Sequence, residues 1–292
     1  MFRTVTVGLD GSPESLAAAD WAAREARLRA AVLRAVYAGE QQPSAYVPFA
    51  GEAVAQPDED RTERMLREVR ASLTHRHPGL DVTAERLAGR PAAALVEAAG
   101  ETDLLVIGSR GLGRAAGHLL GSVASAVTGR ADAPVVLVRA GAEAPGEHRP
   151  DADGTPSAAT PYRDVVLGVE LADRTGDAVL DFAFDAARRR ATGLRVVHGR
   201  RLPSHADTSA RPEDGPESLL RPWREKFPDV EVTEEAVVGH AGAHLVDASR
   251  DASLIVIGRR NRRSATAARQ VGPVTQEVLR HAVAPVAVVP HD

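Results

Sequence analysis

The sequence predicts an α/β protein made of two tandem open sheets, each with five parallel strands flanked by helices. Three observations carry this. Short apolar runs without internal alternation, such as Leu104-Leu-Val-Ile107 and Val135-Val-Leu-Val138, alternate with helical stretches, as strands buried on both faces do. The pattern of residues 4–138 starts again near residue 164, which marks a repeat. Aromatics are 3% of the chain against 43% hydrophobic residues, so the cores are aliphatic.

The elements follow in order. Thr4 to Leu9 reads as a first buried strand, ended by Asp10-Gly-Ser-Pro13. Ser12 fits a helix N-cap and Pro13 the first helical position, opening a helix to about Ala30. Val32 to Ala38 is the second strand, residues 39 to 57 a long loop, and 58 to 77 a helix with apolar spacing at Met65, Leu66, Val69 and Leu73. Asp81 to Leu87 alternates like a third strand, Pro91 opens a third helix to Ala99, and Asp103 to Ile107 is the fourth strand. A glycine loop, an alanine-rich helix and the strand Val135–Val138 close the first unit. Residues 141 to 160 lack apolar periodicity and read as a linker. The domain reading is therefore 1–140, linker 141–160 and 161–292.

The second unit echoes the first. Asp164 to Glu170 matches Thr4 to Asp10, and Asp181-Phe-Ala183 matches Asp20-Trp-Ala22. Gly239 matches Gly89, Leu254 to Gly258 matches Leu104 to Gly108, and Ala284-Pro-Val286 matches Ala133-Pro-Val135. Trp21 and Trp223 read as core or interface residues.

Net charge, −4, gives no case for nucleic acid, and the absence of cysteine excludes disulfides and thiolate metal sites. No apolar run has the length of a membrane span, and Met1-Phe-Arg leads directly into a strand, so the expectation is a cytoplasmic protein without a membrane partner.

The residues that point to chemistry lie on the glycine loop, Gly108-Ser-Arg110-Gly111 through Gly121-Ser122. It joins a buried strand to a helix N-terminus. Glycines let backbone N–H groups approach a ligand closely. The helix start adds unsatisfied donors and a positive dipole end, and Ser122 adds a hydroxyl. This is a phosphate cradle in outline. It is not a Walker A loop, since Val123 stands after Ser122 with no Lys before it, nor a dinucleotide fingerprint, since it follows the fourth strand. Asp10 comes to the same place if strands one and four are neighbours, because open α/β sheets bind ligands beyond the carboxyl ends of strands where their order reverses. No catalytic constellation stands out: there is no His-Glu-x-x-His and no recognisable Ser/His/Asp arrangement.

The spacing Gly, two residues, Gly, nine residues, Gly-Ser resembles the ATP-binding signature of the universal stress protein family, and the resemblance covers nearly the whole chain outside the linker. It implies strand order 3-2-1-4-5, with the last strands pairing across a dimer interface, here Val135–Val138 with Val286–Val289 between the chain's own two halves; a homodimer of whole chains is a further expectation. It implies that the first half binds ATP through Asp10, Val36, Gly108, Arg110, Gly111, Gly121 and Ser122, with Leu9, Ser12 and Val123 beside them. Val36 would hold the adenine from strand two, and Asp10 would help hold Mg²⁺ on the triphosphate; His118 falls in the spacer. ADP, AMP or a cyclic nucleotide are alternative ligands. The implied role is a nucleotide-dependent stress-response regulator read by a protein partner, the rival being a weak ATPase or phosphotransferase.

The second copy departs from the signature. Asn261 replaces the second glycine, ten residues rather than nine precede Gly272, and Pro273 replaces the serine, removing an N–H and a hydroxyl. Glu170 stands for Asp10, and Leu171-Ala-Asp173 for the Gly-Ser-Pro turn. The expectation is a second half that binds ATP poorly. Its loop carries Arg259, Arg260, Arg262, Arg263 and Arg269, which read as a solvated basic loop or, alternatively, as phosphate ligands.

Overall fold

The computed structural model describes residues 3–39, 57–109, 120–170, 175–199, 216–261 and 271–292. Its first half runs β1 (Thr4–Leu9), α1 (Pro13–Arg29), β2 (Val32–Gly39), α2 (Pro57–Arg76), β3 (Val82–Ala88), α3 (Pro91–Ala99), β4 (Leu104–Gly108), α4 (Ser122–Arg130) and β5 (Val135–Val138). The second runs β6 (Val165–Val169), α5 (Asp177–Arg189), β7 (Leu194–Gly199), α6 (Pro216–Lys226), β8 (Val232–Val237), α7 (Ala241–Ala248), β9 (Leu254–Arg260), α8 (Pro273–His281) and β10 (Val286–His291).

The ten strands form one sheet in the order β3-β2-β1-β4-β5-β10-β9-β6-β7-β8. Each half has the expected order 3-2-1-4-5, with parallel pairing inside it. The halves meet where β5 and β10 pair antiparallel, Val286 opposite Leu137 and Val288 opposite Val135. So the two five-stranded sheets expected from the repeat join into one continuous sheet. The apolar runs explain the join: Val136 and Val138 face one core cluster while Val135 and Leu137 face the other, so β5 is buried on both sides and accepts a neighbour on its outer edge.

Two helix layers cover the sheet. Residues of α1, α2, α5 and α6 pack on one face with Val5 and Val7 of the first half and Val165 and Leu167 of the second. Residues of α3, α4, α7 and α8 pack on the other with Leu105, Ile107, Ile255 and Ile257. Both clusters cross the junction, so the halves share a core.

The repeat extends to backbone detail. Gly89 and Gly239, which precede α3 and α7, have φ of 107° and 106°. Ala30 and Ala191 both take the left-handed conformation after α1 and α5, at φ 49° and 48°. Ser12 caps α1, its hydroxyl accepting from the Ser15 N–H, and Pro13 stands at the helix start.

Buried charge joins α1 to α5. Glu25 accepts from Arg29 Nε at 2.6 Å and, across the junction, from Arg190 NH2 at 2.6 Å; the side chains of Glu25 and Arg190 are each 1% exposed. Burial opposes the charge on Glu25, but Arg190 and Arg29 outweigh it and hold the carboxyl below its ordinary value.

The segment read as a linker, 141–160, carries structure of its own. It carries a short 3₁₀ turn, Ala144–Glu147, and doubles back so that His148 pairs with Tyr162 and Pro150 with Pro156. Arg149 N–H donates to Pro161 O at 2.9 Å and Arg163 N–H to Glu147 O at 2.9 Å. Glu147, 5% exposed, reaches Arg24 of α1 at 2.5 Å. Its polar composition hid this, because the ordering comes from hydrogen bonds and one buried ion pair rather than from an apolar stripe.

Candidate functional site

The site of the first half is built where β1 and β4 lie side by side, Val7 opposite Val106. Their carboxyl ends, Leu9-Asp10 and Gly108-Ser109, therefore emerge together. β1 and β4 are the strands on either side of the point where the order reverses, since β1 connects outward to β2 and β3 while β4 connects to β5.

Asp10 is held by the turn that follows it. Gly11 adopts φ 81°, a conformation that favours glycine. Asp10 Oδ1 accepts from the Ser12 N–H at 2.9 Å and from the Ser12 hydroxyl at 2.5 Å. Ser15 Oγ accepts from the Asp10 N–H at 3.4 Å and donates to Ser12 O at 2.9 Å. Two serines thus fix both the backbone and the carboxylate of Asp10.

The glycine loop leaves β4 and returns at α4. Ser109 N–H continues the ladder to Val138 O at 2.8 Å, and Gly121 N–H donates to Ser109 O at 3.0 Å, so the loop's two ends are pinned together. Gly121 caps α4 with φ −62° and ψ 151° and has no side chain to fill the space there. The first turn of α4 is closed by the bond from Ser125 N–H to Gly121 O at 2.8 Å. The N–H groups of Ser122, Val123 and Ala124 precede it and face out of the helix end, as at every α-helix start. Ser122 is exposed and Val123 half-buried.

The remaining expected residues divide in three. Leu9 and Ser12 are buried, Leu9 in the core and Ser12 under the turn. Val36 lies inside the sheet between Gly8 and Glu85, its side chain fully buried; β2 itself ends three residues on, at Gly39. Arg110, Gly111 and His118 lie outside the described residues, as do Arg262, Arg263 and Arg269.

The second half is built differently at the matching place. β9 and β10 run to Arg260 and His291, with Pro290 opposite Arg259 and His291 opposite Arg260, whereas β4 and β5 stop at Gly108 and Val138. Asn261 N–H donates to His291 O at 2.6 Å, prolonging the ladder. Glu170 N–H donates to Thr175 Oγ1 at 3.2 Å, which repeats the Asp10–Ser15 bond.

The sequence reading missed the role of Arg259. It is neither a solvated cation nor a phosphate ligand: its side chain is buried, donating from NH1 to Gly129 O at 3.0 Å and from NH2 to Ala131 O, at the carboxyl end of α4 in the other half. Arg139 reciprocates, with NH2 donating to Leu279 O of α8 at 3.1 Å. Each cation satisfies carbonyls at a helix C-terminus, where the dipole also favours it. Among the described residues, no group of three His, Cys, Asp or Glu side chains is placed to hold a metal ion, and no helix is long and apolar enough to cross a membrane.

Comparison with known proteins agrees with this architecture. The model of the Universal stress protein family matches residues 1–139 and 161–290. Universal stress protein Rv2005c of Mycobacterium tuberculosis is 31% identical over 298 residues, covering 97% of this chain and 96% of that one. Universal stress protein Rv2623 of the same organism is 30% identical over 302 residues, covering 97% and 95%. Among solved structures, a universal stress protein from Archaeoglobus fulgidus superposes with a TM-score of 0.69 at 16% identity, over 99% of this chain and 98% of that one. With both repeats matched and relatives spanning almost the full length, this chain belongs to the universal stress protein family.

Proposed function

We propose that the protein is a nucleotide-dependent stress-response regulator whose first half binds ATP. The observation that supports this best is the pinned glycine loop. Gly108 and Gly121 stand at a strand end and a helix start, joined through the Gly121–Ser109 bond, beside a carboxylate already held by the N–H and hydroxyl of Ser12. A triphosphate laid there would meet the N–H groups of Ser122, Val123 and Ala124 and the Ser122 hydroxyl, at the positive end of α4. Asp10 supplies one carboxylate. That fits Mg²⁺, which takes most of its ligands from phosphates and water. The carboxyl end of β2, with Val36, would border the adenine.

Occupancy of this crevice would alter the surface around the glycine loop, which a protein partner reads. The test is calorimetric titration of the full chain with ATP and Mg²⁺, with ADP, AMP and cyclic AMP as competitors and ADP release followed in parallel. One site per chain, lost in Gly121→Glu with the circular dichroism spectrum intact, is the expected result. Gly121 has an extended backbone that any residue adopts, so glutamate there needs no strained φ while adding negative charge at the helix start proposed to hold phosphate. Binding of wild-type strength in that variant would refute the assignment.

A further inference from the structure

The second half keeps Gly258 where the first has Gly108, yet a side chain of the protein itself lies against that glycine. A Cβ built on Gly258 would come within 2.8 Å of His291 Nε2 and 3.0 Å of its Cδ2. A Cβ built on Gly176, the N-cap of α5, would come within 2.6 Å of His291 Cβ and 2.9 Å of its Nδ1. The imidazole of His291 therefore lies directly over both glycines, between the carboxyl end of β9 and the start of α5. The glycine of the old cradle has become the berth for a ring.

The extended ladder puts the ring there. Pairing of Pro290 with Arg259 and of His291 with Arg260 carries β10 two residues past the point where β5 ends. Alternation along β10 then aims His291 to the same face as Ala287 and Val289, the face covered by α5. In the first half the residue matching His291 is Ala140, which is exposed, while Arg139 before it turns away to α8. The two halves thus differ at this position as well as in donors.

We propose that His291 is the residue that confines nucleotide to the first half, acting as a tethered occupant of the second-half crevice. The proposal rests on the reading that the family's cradle takes ATP. It differs from the loss of donors at Pro273, since a missing hydroxyl weakens a site whereas a ring over both glycines closes it. His291→Ala gives the second half the side chain that the first half has at this position.

The experiment is equilibrium dialysis of the full chain against ATP and Mg²⁺ up to millimolar concentration, counting nucleotide per chain. The variants are wild type, His291→Ala and His291→Phe, each made with and without Gly121→Glu, which silences the first half. The expected result is one site in wild type, none in Gly121→Glu, and one again in Gly121→Glu/His291→Ala. At roughly tenfold for each of the two donors that Pro273 lacks, the opened site should be about a hundredfold weaker than the first. His291→Phe keeps a ring in the berth and should open nothing. Two sites in wild type, no site opened by His291→Ala, or one opened equally by His291→Phe would each overturn the proposal. A wild type that binds nothing, with a site appearing in His291→Ala, would instead overturn the reading of the first half and support the role of His291.

Discussion

Arg190→Met should destabilise the protein by about 3 kcal/mol at neutral pH. The Glu25 carboxylate has two oxygens, one bonded to Arg29 and one to Arg190 across the junction, and its side chain is 1% exposed. Methionine has a similar reach, so little packing is lost, but Oε2 is left buried without a partner. Breaking a buried ion pair from one side costs about 3–5 kcal/mol, and the retained Arg29 places this case at the lower end. Removing both charges, as in Glu25→Leu/Arg190→Met, should recover part of the loss, because the uncompensated carboxylate goes with it while Arg29 is left to Asp185 at 3.5 Å. The assay is urea denaturation followed by fluorescence, for which Trp21 and Trp223 report one from each half. The sign of the pH dependence follows from the depressed Glu25 carboxyl: its contribution is whole above the ordinary carboxylate range and is lost as pH falls through the lower folded value. Arg190→Met should flatten that acid limb. A single-variant loss below about 1 kcal/mol, or a double variant worse than both singles, would refute the reasoning.

Two further outcomes test the junction. Burial pushes the Glu147 carboxyl up, against the opposing pull of Arg24, so ionising it costs stability as pH rises from the ordinary carboxylate range through the folded value. Glu147→Gln should remove that loss: apart from the constant cost of giving up the Arg24 pair, the variant's urea midpoint should shift in its favour relative to wild type between low and neutral pH. Arg259→Ala should cost about 2–3 kcal/mol by leaving the buried carbonyls of Gly129 and Ala131 without their donor, whereas the exposed Arg260→Ala should cost roughly 0.5 kcal/mol or less in the same assay.

The sequence carried the fold because its signals are local. Val135–Val138 needs only its own four residues to read as a doubly buried strand, and the match of Leu254–Gly258 to Leu104–Gly108 announces a repeat without any contact being known. The same holds for Asp10-Gly-Ser-Pro13, whose turn and cap are contained within a few residues of Asp10. What stayed hidden depends on distant partners. Arg259 meets a carbonyl 130 residues away, and in a run of arginines nothing local distinguishes the one that is buried. Glu147 sits in a polar segment and becomes a core residue only because Arg24 waits for it on α1. His291 ends an otherwise ordinary apolar strand, and its ring reaches Gly258 only because β9 and β10 stay paired past Gly258. A glycine kept in both halves carries no mark of what lies over it.

The antiparallel pairing of β5 with β10 has a consequence for how such a molecule can change. When two identical copies meet edge to edge, each substitution is made twice, and a residue lost from one copy is lost from both. Here the two edges belong to different stretches of one chain. Ser122 and Pro273, or Ala140 and His291, stand at corresponding places and differ freely. Their meeting is also independent of concentration, because a tether makes the encounter intramolecular. Covalent fusion thus gives a pseudo-symmetric body licence to be asymmetric, with each half free to drift toward its own task while the shared sheet holds them in register.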